Sequence, residues 1–336
     1  MAQRYSAFAA KKTLGYLLVI GALTLTMAFP AAAASSPAFK TNWIRANGVS
    51  LRYELSGKGP STIVLLHEAN MGLESWDYVA PELAKTHKVL RYDMRGYGLS
   101  QAIRGPITLA DHENDLRELL KALNITGKVN VIGTAVGGAV ALKFAADNPD
   151  LVALVMAISP AAYLQGQTMQ GRGGGGAGGF PGAAPGGPPN GAPPAGAPGG
   201  ALPGAVPGGT SAAAPGAGAG APLNMEATNE GAYPTRFREV DPVRYQRFKA
   251  LEGSSAGSGG QATMGATSST KYAEVLPTIR VPAVVVATSL WTRPVAEYKA
   301  LADAIPDGKF EVIESGHFAA MATPDLVTKV IKKYVK

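Results

Sequence analysis

The tightest constraint on this chain is a turn built around glycine between an apolar run and a stretch of small residues. It reads Val129-Asn130-Val131-Ile132-Gly133-Thr134-Ala135-Val136-Gly137-Gly138-Ala139-Val140-Ala141-Leu142. The β-branched run predicts a buried strand and the alanine-rich run a helix. Gly133 and Gly137 let the backbone reverse between them where a Cβ would obstruct, and Gly138 suits close helix packing. Such a turn presents its central residue at the strand end and leaves the Val136 amide at a helix N-terminus, poised to donate to an anionic oxygen. The central residue is Ala135, whose side chain is a methyl group.

Around this turn, short apolar runs alternate with helical patterns. Strands are predicted at Asn42 to Arg45 and Ser50 to Leu55, joined by Asn47-Gly48, and at Thr62 to Leu66, Lys88 to Tyr92, Lys128 to Ile132, Leu151 to Ser159, Pro282 to Ala287 and Lys309 to Glu314. Ser75 to Leu83 reads as a helix, with Trp76, Val79 and Leu83 on one face. Thr108 caps a second helix through Asp111, and Leu109, Leu116, Leu119, Leu120 and Leu123 follow at helical spacing. A last helix runs from about Pro324 to Tyr334. This alternation predicts an α/β fold, a mostly parallel sheet with helices on both faces.

Four landmarks resemble the α/β-hydrolase fold superfamily, over about Ile44 to Val335 apart from an insert. Leu65-Leu66-His67-Glu68 resembles the loop that donates an oxyanion-hole amide, with Glu68 in place of the glycine of the usual His-Gly. Tyr92-Asp93-Met94-Arg95-Gly96-Tyr97-Gly98-Leu99-Ser100 resembles the superfamily's scaffold loop, in which Asp93 and Arg95 tie turns together. The turn at Ala135 is similar to the nucleophile elbow, but a methyl group replaces the nucleophile. In Glu314-Ser315-Gly316-His317-Phe318, His317 matches the catalytic histidine.

The resemblance implies a Ser-His-Asp triad of which one member remains. Leu290, in Thr288-Ser289-Leu290-Trp291-Thr292-Arg293-Pro294, stands at the acid position, and the next carboxylate is Glu297. Ser159-Pro160-Ala161, the other common acid site, carries none. The implied oxyanion donors are the Val136 and Glu68 amides. The Glu68 carboxyl reads either as a reactive group in the pocket or as a solvent-facing or hydrogen-bonded loop acid. His317 reads either as a lone general acid or base or as a packed relic, since no carboxylate orients it. Thr134 is a poor substitute nucleophile, because neighbouring side chains in such a turn point differently.

Three functions remain open from sequence. The chain is a pseudo-hydrolase binding a small apolar or carbonyl-containing ligand, or a non-serine hydrolase or lyase using His317. Alternatively it is a surface interaction protein in which a Gly/Pro/Ala-rich tract, residues 166–223, is the working part. That tract has too few large apolar groups to offset the entropy of ordering and is expected to be disordered. Residues 224–275 form a residual cap, with Tyr245 and Phe248 on one helical face and a second flexible stretch from Gly253 to Ser269. The core is then formed by residues 35–165 and 276–336.

The first 34 residues read as a signal peptide. Arg4, Lys11 and Lys12 precede an apolar run from Thr13 to Phe29, and small residues place cleavage after Ala34. That implies a periplasmic or secreted protein, free of the membrane once cut, and a chain without cysteine suits export without disulfides. Those three basic residues belong to the formal net charge of +7, and the remaining ones are scattered, which argues against nucleic acid. The dispersed His67, His87 and His112 suggest no metal site, and no cofactor is implied.

Overall fold

Alternate residues of the central strands enter two different cores, one on each face of a sheet. In β3 (Thr62–Leu66), Val64 and Leu66 join one cluster while Ile63 and Leu65 join the other. In β5 (Val129–Thr134), Val131 and Ile132 divide the same way, as do Val285 and Val286 in β7 (Ala283–Thr288). Strands buried on both faces need such continuous apolar runs. Each fully buried aliphatic side chain contributes roughly 1.5–3 kcal/mol.

The computed structural model describes residues 40–69, 71–164, 241–254 and 259–336. The expected signal peptide and the Gly/Pro/Ala-rich insert lie outside the described residues. Among the described residues the sheet has eight strands, in the order β1 (Thr41–Ala46), β2 (Val49–Ser56), β4 (Lys88–Tyr92), β3, β5, β6 (Val152–Ile158), β7 and β8 (Lys309–Ile313). β1 and β2 form a hairpin, and β2 pairs antiparallel with β4. The pairs from β4 through β3, β5, β6 and β7 to β8 are all parallel. The hairpin turns on Asn47 and Gly48, both at positive φ (48° and 78°), as a two-residue turn between twisted strands requires.

On one face lie α2 (Leu109–Ala122), α3 (Ala135–Asp147) and α7 (Val295–Asp303); on the other lie α1 (Ala80–Ala84) and α9 (Pro324–Tyr334). The α2 cap forms as expected: the Asp111 N–H donates to Thr108 Oγ1 at 3.1 Å, and the Thr108 N–H to Asp111 Oδ2 at 2.8 Å. Leu109, Leu116, Leu119 and Leu120 are buried beneath it.

Two local expectations are corrected. Ser75 to Leu83 is not one helix but a 3-10 turn, Leu73–Trp76, followed by α1. Pro81 lies in the first turn of α1, where its missing N–H costs nothing, so it starts a helix rather than continuing one. Trp76, Val79 and Leu83 are buried together all the same. The supposedly flexible stretch ending at Ser269 contains α5 (Gly259–Ser269), which follows α4 (Pro242–Ser254). Thr263 and Thr267 are buried, and Thr263 Oγ1 meets His112 Nε2 of α2 at 2.9 Å. Packing against α2 and α3 overrides weak helical propensity there. Short α6 (Tyr272–Val275) leads back to the sheet, and α8 (Ala319–Ala322) follows β8.

Candidate functional site

The bend at the end of β5 is formed as the glycines require. A Cβ on Gly133 would lie 2.2 Å from the Gly137 carbonyl oxygen, and one on Gly137 would lie 2.5 Å from the carbonyl oxygens of Leu66 and His67. Only hydrogen fits at either position, so α3 starts hard against the end of β3. Ala135 sits at φ +44°, in the left-handed region that a residue with a Cβ enters at a cost. Its carbonyl accepts the Ala161 N–H at 2.9 Å, tying the bend to the loop after β6. Val136 is the second residue of α3, so its amide has no carbonyl four residues back within the helix.

Beside the bend, Glu68 is fully buried, which excludes the solvent-facing alternative. The Thr134 hydroxyl donates to its Oε2, while Oε1 is buried with no hydrogen-bond partner. Burial pushes this carboxyl well above the usual carboxylate range, against opposing hydrogen bonds from Thr134 and from its own amide. His67 is turned elsewhere. Its Nδ1 lies 2.8 Å from the Glu68 carbonyl oxygen, and its Nε2 accepts the Met94 N–H at 3.0 Å, so the proton is on Nδ1. Burial lowers its pKa, and its ring meets Tyr97 edge-on.

The loop after β4 carries a hydrogen-bond network centred on Asp93 and Arg95. Asp93 accepts N–H groups from Leu73 at 2.7 Å and Leu99 at 2.8 Å, and Arg52 Nη1 at 3.2 Å. Arg95 donates from Nε to Asp115 at 2.6 Å and from Nη1 to Asp111 at 3.1 Å. These residues tie turns together, as their resemblance to the scaffold loop implies.

At the ends of β6 and β7 no carboxylate faces the bend among the described residues. Ser159 Oγ and Thr288 Oγ1 share a hydrogen bond at 2.5 Å, with Ser159 at φ +45°. Leu290 is 42% exposed, and its backbone N–H donates to the Ser315 carbonyl at 3.0 Å. Glu297 is engaged by Arg293 Nε at 3.0 Å. Sequence reasoning passed over Arg293, which is buried and donates to the carbonyls of Pro160 and Ala162, at 2.7 Å each. Its guanidinium also lies over the rings of Tyr163 and Tyr298. The Arg-x-x-x-Glu spacing at the head of α7 was the one available signal.

His317 follows β8. Its ring stacks on Trp291, with centroids 4.5 Å apart and planes 25° apart, and meets Phe318 edge-on at 5.0 Å. Its Nδ1 is buried without a hydrogen-bond partner, and burial lowers its pKa to about 4. The ring is therefore neutral near pH 7 and is oriented by aromatic packing, with no carboxylate on Nδ1 to raise its basicity. The role of Trp291 was not legible from sequence, since stacking between residues on two loops leaves no spacing to read.

An apolar cluster of Met71, Phe248 and Met321 packs with Tyr245, Trp291 and Phe318, bringing α4 over the loops after β3, β7 and β8. Tyr245 and Phe248 face it together, ring centroids 6.5 Å apart. No group of three or more potential metal ligands occurs among the described residues. His87 and His112 are instead hydrogen-bonded separately, to Thr86 at 2.8 Å and to Thr263.

Comparison with known proteins agrees with this geometry. A family model described as alpha/beta hydrolase fold matches residues 61–184. The chain is 34% identical over 126 residues to the 2-hydroxy-6-oxo-6-(2'-aminophenyl)hexa-2,4-dienoic acid hydrolase of Metapseudomonas resinovorans, covering 36% of this chain and 43% of that one. It is 40% identical over 109 residues to the soluble epoxide hydrolase of Corynebacterium sp. (strain C12), covering 32% and 36%. Among solved structures, the enol-lactonase from Burkholderia xenovorans LB400 superposes with a TM-score of 0.65 at 20% identity, covering 88% of this chain and 99% of that one. The chain thus spans less than half the length of these curated relatives in sequence, while the structural likeness extends through the fold.

Proposed function

From the α/β-hydrolase fold of this chain and its similarity to hydrolases, we propose a pseudo-hydrolase that binds a small apolar or carbonyl-containing ligand beneath α4 and runs no Ser-His-Asp chemistry. One observation carries this reading: Ala135 occupies the left-handed bend where the superfamily places its nucleophile, and a methyl group cannot attack a carbonyl. Two further features support it. Leu290 is exposed at the acid position, and His317 has no partner on Nδ1. The apolar cluster around Phe248 and Trp291 suits an uncharged ligand. The apparent signal peptide makes the mature protein periplasmic or secreted, beginning at Ser35; N-terminal sequencing of exported material checks that boundary.

The deciding experiment compares ester hydrolysis and fluorophosphonate labelling in the parent, in Ala135→Ser, and in Ala135→Ser with Leu290→Asp. The parent is expected to be inert and unlabelled, with turnover appearing only once the missing groups are restored. A covalent adduct formed from a turnover substrate by the parent overturns the reading.

A second reading keeps catalysis, as a non-serine hydrolase or lyase using His317 as general acid or base. It is favoured by the free Nδ1 of a neutral ring, which is able to accept a proton. It requires that His317→Ala abolish a turnover first found in the parent; equal rates end it.

A further inference from the structure

The Glu68 carboxyl stands where the superfamily resemblance places only a backbone amide, and neither triad chemistry nor the scaffold loop uses it. Its surroundings are sparse. Oε2 is held by the Thr134 hydroxyl, one residue before Ala135, and Oε1 is buried and unpaired. The preceding Leu66 and His67 carbonyls abut the start of α3 so closely that Gly137 cannot carry a Cβ. The carboxyl is thereby held at the same corner as the Val136 amide. Among the described residues no charged group bears on it: its polar neighbours are Thr134 on β5 and its own amide, while His67 turns to Met94 and His317 is held neutral by burial.

A lone carboxylate in such a place cannot stay ionised cheaply, so it keeps its proton. With Oε2 accepting from Thr134, the acidic hydrogen belongs on Oε1, an O–H donor that lacks an acceptor. Buried donors left unsatisfied are uncommon and call for a partner.

We propose that Glu68, as a neutral carboxylic acid, donates from Oε1 to the carbonyl oxygen of an uncharged ketone, ester or amide ligand, with the Val136 amide as second donor. The inference rests on the ligand-binding reading and names its ligand class. One amide and one neutral acid are both donors suited to a carbonyl oxygen, and the burial that keeps Glu68 protonated also opposes bringing in the charge of a carboxylate ligand. Glu68 here is a binding residue and takes no part in bond making.

Two measurements test this. With glutamate carboxyls labelled with carbon-13, the resonance lost in Glu68→Gln identifies Glu68 in the parent; it is expected at the position of a protonated acid at neutral pH, and an ionised Glu68 overturns the inference. Methyl hexanoate and hexanoate are then titrated against the parent, Glu68→Gln and Glu68→Ala, following Trp291 fluorescence and heat. The ester is expected to bind the parent and Glu68→Gln alike, since the amide still donates, and Glu68→Ala about tenfold more weakly. Hexanoate is expected to bind none of them measurably. Raising the pH is expected to weaken ester binding in the parent and not in Glu68→Gln. Equal ester binding by the parent and Glu68→Ala overturns the role of Glu68 and leaves the ligand-binding reading standing; absence of ester binding by the parent removes both.

Discussion

The loop after β4 and the loops after β5, β7 and β8 lie at the same end of the sheet and differ in what their charged and titratable side chains meet. In the first, Asp93, Arg95 and Ser100 each answer two or more groups, and the network reaches Arg52, Leu73 and α2. Around the bend, His317 Nδ1 and Glu68 Oε1 are buried and unpaired, and Leu290, expected at the acid position, is exposed. Groups that hold loops together contribute to stability whatever the chemistry, whereas a triad contributes little to folding. A chain can lose the second kind and keep its architecture. The bend is the instructive exception, because its backbone belongs to the scaffold and its side chain to the chemistry.

That division can be broken by substitution. The largest effect is expected from Gly137→Ala, because the new Cβ would overlap two backbone carbonyls that cannot swing aside. We expect no soluble folded protein; a native circular dichroism spectrum would show that the α3–β3 contact yields. Next comes Asp93→Ala, which takes from buried Arg52 one of its two carboxylates, leaving Glu74, and removes the acceptor of the Leu73 and Leu99 amides. A loss of about 1–3 kcal/mol in urea unfolding is expected for leaving buried donors without their acceptor. A loss below about 1 kcal/mol, the level of a surface pair, would place Asp93 outside the scaffold.

Acid sharpens the contrast on the site side. His317 has a folded pKa of about 4, below the 6.5 of a free imidazole. The folded state therefore binds fewer protons than the unfolded chain between those values. Its stabilising contribution is full above pH 6.5 and is lost as pH falls toward 4. The ring is half-buried, so the parent should lose on the order of 1–2 kcal/mol more than His317→Gln across that interval. Parallel curves for the two proteins would show that His317 is not held neutral. The smallest effect is expected from Trp291→Ala, about 1 kcal/mol for the lost stacking, with the His317 titration by NMR moving up toward 6.5. An unmoved titration would mean that Trp291 does not shield the ring.

What could be read from sequence follows the range of the interactions. The bend, the Thr108–Asp111 cap and the strand alternation are local patterns, and they were legible because glycine positions, capping spacing and periodicity are each set within a few residues. The position of His317, just after the last strand, was likewise legible. The burial of Glu68 was not, because it depends on how closely the end of β3 meets α3, which no spacing records. Nor were the aromatic bed of His317 or the carbonyl contacts of Arg293, where groups on separate loops meet. The helix at Gly259–Ser269 escaped notice for a related reason: its glycines and serines speak against order locally, and contacts with α2 and α3 decide otherwise.

The left-handed backbone at Ala135 has a consequence for how this chain can change. A conformation that costs an alanine roughly 1–2 kcal/mol has been retained without a reactive group to display. The frame is thus already bent for whatever residue comes next. An exchange at 135 would change the displayed group without asking the backbone to move, so a new side chain here is a matter of atoms arriving at a standing address.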